Sequence, residues 1–226
     1  MVTRPLLLAH RGAHTDAIGE NSLAAFDRAL DQGCDGFECD VRRTQCGCAV
    51  VCHDAKVNGA SVARATREEL AHLPRVEDVV REYGRRGFMD IELKVRGLET
   101  LVLAALRENL PQRDYVVSSF LPEVVLELKA RSGVVPVGLI CGKASQLMDW
   151  RNMPVEYVIV HKSLVTRRLV QVIHSAGRKI FVWTVNDRNS MLRLAGWGVD
   201  AIISDKPQLM VETFALSESA LASLQA

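Results

Sequence analysis

The sequence predicts an α/β fold of the (β/α)8 barrel type, built as one domain over residues 1–226 with a short excursion after the second strand. Three observations carry that reading. Short apolar, β-branched runs alternate with amphipathic stretches of helical period along the chain. With the excursion set aside, the alternation gives eight strands, each followed by a helix or its remnant. No linker, low-complexity tract or strong internal repeat interrupts it. A doubly wound open sheet is the alternative that shares the same alternation.

Each element has a local reason. Leu6–His10 opens on three leucines and reads as a buried strand. Asn21–Gln32 reads as a helix with Leu23, Phe26, Ala29 and Leu30 on one face. Gly36–Arg42 is the second strand, and Ala49–His53 the short extra one. The stretch 55–73 is loop-like, with a short helix expected at Arg67–Leu73. Val76–Arg86 is a helix, Phe88–Val95 a strand, and Leu98–Leu110 a helix that packs through Leu101, Ala104, Ala105 and Leu106. Strand and helix then repeat as Tyr115–Phe120 and Pro122–Arg131, and as Val135–Ile140 with a weak helix at Ser145–Trp150. The next pairs are Tyr157–His161 with Arg167–Ala176, and Ile180–Val185 with Arg188–Trp197. Ala201–Ser204 is the last strand, and the chain is helical from Gln208.

Composition narrows the class. The chain is 48% hydrophobic, enough for one large core, and 28 basic against 27 acidic residues leave a formal charge of +1. Such a balance gives no global field for nucleic acid. The start, MVTRPLLLAHRG, carries no export signal, and no run nears the roughly 18 apolar residues of a membrane span. A cytoplasmic protein is expected, with its oligomeric state left open. Of six cysteines, all but Cys141 fall between Cys34 and Cys52, yet their spacing lacks paired C-x-x-C knuckles. They are expected to be reduced, small apolar fillers.

In such a barrel, chemistry gathers at the C-terminal ends of the strands. The polar residues there are His10 and Arg11, Glu38 and Asp40, His53 and Asp54, Glu92 and Lys94, and Trp183 and Asn186. Residues two apart on a strand share a face, so Glu38 sides with Asp40 and Glu92 with Lys94, while Phe37, Cys39, Ile91 and Leu93 face the helices. Three unpaired carboxylates at one mouth would repel one another. A hard divalent cation, Mg2+ or Ca2+, relieves that repulsion through oxygen ligation. Arg11 and Lys94 beside it make a receptor for a phosphate, and His10 and His53 can exchange protons with oxygens around its phosphorus. Simpler roles compete: Glu38 and Asp40 as partners of Arg42 or Arg43, and Glu92 paired with Lys94. His14, His72, His161 and His174 have no companion signal and read as structural or solvated.

The segments AHRG (9–12), ENS (20–22), FECDV (37–41), VCHD (51–54), IELK (91–94), VWTVN (182–186) and GVDAIISDKP (198–207) together resemble the glycerophosphodiester phosphodiesterases, in order and spacing. The resemblance implies a TIM barrel that uses a divalent cation to hydrolyse glycerophosphodiesters to sn-glycerol 3-phosphate and an alcohol. It matches His10 and His53 to the acid/base pair, Glu38, Asp40 and Glu92 to the metal ligands, and Arg11 and Lys94 to phosphate contacts. It matches Trp183 to an aromatic wall, and Glu20 and Asn21 to a buttress of the first loop. It also implies a nucleophile drawn from the substrate's own glycerol hydroxyl, by way of a cyclic phosphate. The chain departs from the family pattern at TQCGC (44–48) and in the short segment between Asp54 and Glu92, which lacks the longer insertion that caps the glycerol end. A lysophospholipase D-like specificity, a catalytically silent binding barrel and an amidohydrolase are the competing readings. The last would want a His-x-His pair that AHRGAH does not supply.

Overall fold

The computed structural model describes the backbone of residues 4–223 and the side chains of residues 4–215. In chain order the first elements are β1 (Leu6–His10), α1 (Leu23–Asp31), β2 (Gly36–Arg43), β3 (Ala49–Val51), β4 (Lys56–Val57), β5 (Ala60–Ser61), α2 (Val76–Tyr83) and β6 (Phe88–Leu93). Then come α3 (Glu99–Glu108), β7 (Tyr115–Ser119), α4 (Pro122–Arg131), β8 (Val137–Cys141), α5 (Ala144–Leu147) and β9 (Tyr157–His161). The chain ends through α6 (Arg167–Ser175), β10 (Lys179–Trp183), α7 (Arg188–Trp197), β11 (Ala201–Ser204) and α8 (Pro207–Ser223).

The parallel strands run in the order β1-β11-β10-β9-β8-β7-β6-β2, and β1 also pairs with β2, so the sheet closes on itself as a (β/α)8 barrel. β3 is the excursion, antiparallel to β2 at its outer end. Among the described residues no helix is long and apolar enough to cross a membrane.

Strand alternation sorts the side chains into two cores. One face of each strand meets the helices: Phe37, Cys39, Ile91 and Leu93 are buried there with Phe26, Val79 and Tyr83. The other face fills the barrel, where Leu8, Phe88, Val116, Ile140, Tyr157, Ile159, Phe181, Ala201 and Ile203 form an apolar plug. Gly36 sits within this plug, and a Cβ there would lie 2.0 Å from the Phe88 carbonyl oxygen. Its lack of a side chain therefore permits the close β2–β6 approach.

The structure corrects the sequence reading in places. Arg67–Leu73 is a chain of turns closed by three-residue hydrogen bonds such as Leu73 to Leu70. Thr66 and Glu69 begin a reciprocal cap, with Thr66 N–H donating to Glu69 Oε2 at 2.7 Å. Pro74 disfavours helical geometry at Leu73, and the turns end there. The β4–β5 hairpin was not anticipated, since two-residue strands leave no periodicity to read. β6 stops at Leu93 and β3 at Val51, so Lys94 and His53 stand just beyond their strands. Cys34, Cys39, Cys52 and Cys141 are buried as expected of fillers, but Cys46 is exposed and Cys48 half-buried. Those two lie in the turn between β2 and β3, where there is no core to fill.

On the helix side, Phe37 stacks on Phe26 with ring centroids 4.0 Å apart and receives the edge of Tyr83 at 5.1 Å. Phe37→Ala should cost about 3–5 kcal/mol of stability, measured by urea unfolding, because this fully enclosed site cannot collapse around the void. A loss under about 1 kcal/mol would contradict the packing described.

Candidate active site

The polar residues of the mouth follow from the same alternation that builds the plug. Two residues beyond Leu8 is His10; beyond Gly36 come Glu38 and then Asp40; beyond Phe88 come Asp90 and then Glu92. Two residues beyond Phe181 is Trp183, and two beyond Ile203 is Asp205. Parallel register sets these groups side by side: His10 is level with Glu38, Glu38 with Asp90, and Asp40 with Glu92. The apolar plug is thus a floor under a polar ring.

A cavity of about 150 Å³ opens on this ring, lined by His10, Arg11, Glu38, His53, Glu92, Lys94 and Trp183, with Asp90 and Phe120. Asp40 lies beside it: one oxygen each of Glu38, Asp40 and Glu92 fall within 4.8 Å of one another. His10, Arg11, Glu38, Asp40, His53, Glu92, Lys94 and Trp183, the eight residues expected to act on a metal, a phosphate or protons or to wall the site, are therefore brought together.

The turn after β1 is shaped to serve this cluster. Arg11 and Asn21 both adopt left-handed backbone, with φ of 57° and 56°. For arginine this conformation costs energy, a kind of strain that gathers at functional sites. It turns the Arg11 N–H to Glu38 Oε2 at 3.1 Å, while the Arg11 carbonyl accepts from Asn21 N–H at 3.0 Å. Asn21 in turn clasps Asp40: its amide donates to Oδ2 at 2.9 Å, and its oxygen accepts the Asp40 N–H at 3.1 Å. Glu20 accepts from the Arg11 guanidinium at 3.0 Å and holds that side chain over the site. Gly12 completes the turn, where a Cβ would strike Ala25 of α1 at 2.8 Å.

Charge is concentrated and only partly balanced. Lys94 Nζ lies 2.7 Å from Glu92 Oε1 and 3.2 Å from Asp40 Oδ1, and Arg11 Nε lies 3.2 Å from Asp40 Oδ2. Burial pushes Asp40 up, but Lys94, the Asn21 amide and Arg11 outweigh it and hold the carboxyl below its ordinary value. Glu38 has no such relief. Burial, then the charges of Asp40, Glu92 and Asp90, raise it well above the carboxylate range against a weaker pull from Arg11. Burial also raises Glu92, with Lys94 opposing. Glu38 Oε1 is buried without a hydrogen-bond partner. A tight carboxylate trio with an orphaned oxygen fits a hard divalent cation, which would satisfy that oxygen and cancel the repulsion.

Both His10 and His53 present Nδ1 to a carboxylate. His10 Nδ1 meets Asp205 Oδ1 at 2.5 Å, and its Nε2 stands 3.8 Å from Glu38 Oε2. Asp205 is pinned by the Asn186 amide at 2.6 Å. The His10 bond, opposed by burial and helped by Asn186, brings the Asp205 carboxyl down to about 2. His53 Nδ1 meets the exposed Asp54 at 2.9 Å, and its carbonyl accepts from Arg42 Nε at 2.6 Å. Trp183 forms a side wall, edge-on to Phe120 at 5.5 Å and to His161 at 5.1 Å, with its indole N–H unpartnered.

Three members of the site were not singled out beforehand. Asp90 was visible by the same two-residue rule that selected Glu92. Asp205 lies in ISDKP, one residue past its strand, so only spatial closure of the barrel reveals its partner. Phe120 follows β7 and carries no chemical signal of its own, and it sets Lys94 Nζ 5.7 Å above its ring. His161, read as structural or solvated, stands at the end of β9 and packs on Trp183, with Nδ1 bonded to Ser163 at 2.7 Å. His174 is remote from the mouth and pairs with Asp200 at 2.8 Å.

Comparison with known proteins points to one family and to its barrel fold. The model described as the glycerophosphoryl diester phosphodiesterase family matches residues 10–85 and 80–209. A glycerophosphodiester phosphodiesterase from Caldanaerobacter subterraneus subsp. tengcongensis is 29% identical over 239 residues, covering 92% of this chain and 97% of that protein. Among solved structures, a glycerophosphodiester phosphodiesterase from Parabacteroides distasonis superposes with a TM-score of 0.82 at 23% identity, covering 97% of this chain and 100% of the other. A phosphodiesterase from Oleispira antarctica, in complex with the product sn-glycerol-3-phosphate, has a TM-score of 0.82 at 24% identity, covering 94% and 97%.

Asp90 supplies a test of the electrostatics. It is fully enclosed, accepts from Ser118 Oγ at 2.6 Å, and is pushed up to about 7, chiefly by burial. An acid raised in the folded state binds protons that the unfolded chain has released. It stabilises the fold below the ordinary carboxyl value near 4, and that contribution is lost as pH rises through about 7. In chelator, the melting temperature should fall between pH 5 and pH 8, and Asp90→Asn should flatten that fall. An equally steep fall in Asp90→Asn would show that its carboxyl is not the source.

Proposed function

The chain belongs to the glycerophosphoryl diester phosphodiesterase family, an enzyme family, and on that premise we propose that it hydrolyses glycerophosphodiesters to sn-glycerol 3-phosphate and an alcohol. The observation that carries this reading is the convergence of the Glu38–Asp40–Glu92 trio, Arg11, Lys94 and two histidines around one cavity. The product named for the Oleispira antarctica barrel is the one this reaction would release here.

Glu38, Asp40 and Glu92 would hold one divalent cation, Mg2+ or Ca2+. When bound, such an ion supplies Lewis-acid stabilisation of charge on a phosphoryl oxygen. Arg11 and Lys94 bind the remaining phosphate oxygens, Arg11 as a fork that Glu20 already orients and Lys94 as a point charge. Lys94 contributes most where charge builds during attack, since it is fixed among carboxylates and needs little reorganisation. Trp183 and Phe120 flank the substrate and exclude water from one side.

His10 and His53 move the protons. With Nδ1 directed at a carboxylate, each neutral ring keeps its proton there and leaves Nε2 basic. One imidazole takes the proton from the substrate's glycerol hydroxyl as that oxygen attacks phosphorus. The other, protonated, gives its proton to the departing alkoxide. The cyclic phosphate so formed is opened by water with the roles reversed, leaving sn-glycerol 3-phosphate. Imidazoles suit both tasks because they change charge near neutral pH. Asp205, anchored by Asn186, gives His10 the firmer setting of the two.

Hydrolysis of a glycerophosphodiester should stop in excess chelator and return with added Mg2+ or Ca2+; full activity in chelator would refute metal dependence. Glu38→Gln should weaken binding of the ion, read by calorimetry, while leaving the melting temperature of the metal-free protein at or above that of the parent.

His10→Ala and His53→Ala should each cost at least about a hundredfold in kcat, the lower end of general acid–base contributions. Lys94→Met should lower kcat/KM by an amount worth about 2–4 kcal/mol. Diesters lacking the attacking hydroxyl should be poor substrates even with all residues intact. Rapid turnover of such a diester would overturn the cyclic route and leave direct attack by water.

A further inference from the structure

The turn between β2 and β3 holds a feature that phosphodiester chemistry does not use. Cys46 and Cys48 flank Gly47, whose φ of 83° reverses the chain. Their sulfurs stand 3.5 Å apart, and Cys46 Sγ is 3.2 Å from Thr44 Oγ1. The turn is built rather than loose. The Cys48 N–H donates to Thr44 Oγ1 at 3.0 Å, the Thr44 N–H to the Cys48 carbonyl at 3.0 Å, and the Gln45 N–H to the Ala65 carbonyl at 3.0 Å. Two thiols are thus held close together at the surface. No third histidine, cysteine or carboxylate joins them, since among the described residues the Glu38–Asp40–Glu92 group is the one such cluster of three or more. A four-coordinate zinc site is therefore not built here.

We propose that Cys46 and Cys48 are a redox-active dithiol that hydroperoxides oxidise to an intramolecular disulfide. The Cys46 thiolate attacks one peroxide oxygen, the O–O bond breaks, and the departing oxygen leaves as water or alcohol after taking a proton. Cys46 is then a sulfenic acid. The Cys48 sulfur attacks Cys46 Sγ, the S–O bond breaks, and hydroxide leaves with the Cys48 proton as water. Two thiols lose two electrons and one peroxide gains them; a dithiol reductant reverses the change.

The division of labour follows from the surroundings. Hydrogen bonds from Thr44 and then Cys48 bring the Cys46 thiol down to about 7, whereas the bond to Cys46 raises Cys48. Exposed Cys46 is the thiolate that reacts, and half-buried Cys48 the thiol that resolves it. Burial pushes Cys34 and Cys141 up to about 12 and Cys52 up to about 11, which makes them poor competitors.

Intact protein is treated with stoichiometric hydrogen peroxide, then examined by mass spectrometry and by thiol counting after denaturation. The expected result is a mass lower by about 2 Da, two thiols lost, a fragment spectrum joining Cys46 to Cys48, and full reversal by dithiothreitol. Cys48→Ser should stop at a Cys46 sulfenic acid captured by dimedone. Cys46→Ser should slow thiol loss at least about tenfold. Six thiols retained in the parent protein, a crosslink mapped to another pair, or unchanged loss in Cys46→Ser would overturn the proposal. The crosslink map of the parent protein decides the matter even if a variant folds poorly.

Discussion

Everything at the mouth of this barrel depends on negative charge gathered above an apolar plug. Glu38, Asp40, Asp90 and Glu92 come from two neighbouring strands and are all buried. Carboxylates so placed tolerate ionisation only beside cations, because desolvation and mutual repulsion both oppose it. The surrounding residues answer that demand. Lys94 lies across Asp40 and Glu92, Arg11 reaches Asp40, and Asn21 gives Asp40 two hydrogen bonds. Glu38 is left least satisfied, and its bare oxygen marks where further positive charge belongs.

The two histidines meet that charged floor from differently organised supports. His10 is the last residue of β1 and is braced by Asp205 and Asn186, which themselves bond to the backbone and to Ser204. His53 lies past the end of β3 in irregular chain, tied by its carbonyl to Arg42 and by its ring to an exposed aspartate. One imidazole is thus set by the barrel and the other by the hairpin beside it.

Most of this was legible in the sequence because one rule, the two-residue period of a strand, governs both fold and site. It paired Glu38 with Asp40 and Glu92 with Lys94, and it sent Phe37 and Cys39 to the helices. It was not carried back to Asp90, which obeys it equally. What the period cannot express was missed. Asp205 gains its meaning from contact with a residue at the other end of the chain. The stretch Arg67–Leu73 carries the capping pair of a helix without becoming one, and the β4–β5 hairpin is too short for any pattern. The spacing of the cysteines speaks against a zinc site but does not separate the four that lie in cores from the two in a turn, a distinction that depends on burial.

The contact between His10 and Asp205 spans 195 residues and lies on the seam where β1 meets β11. The His10 side chain has no such anchor until the residues of β11 and Asp205 beyond it have been made. The seam is also among the least local pairings in the molecule, and such pairings are slow to form because a long loop must close first. A chain in which that seam has not closed would lack the brace on His10, although β2 and β6, which carry the carboxylates, are neighbours in the sheet. The brace on His10 and the closure of the barrel are thus one contact, and an incomplete chain would carry the charged floor without it.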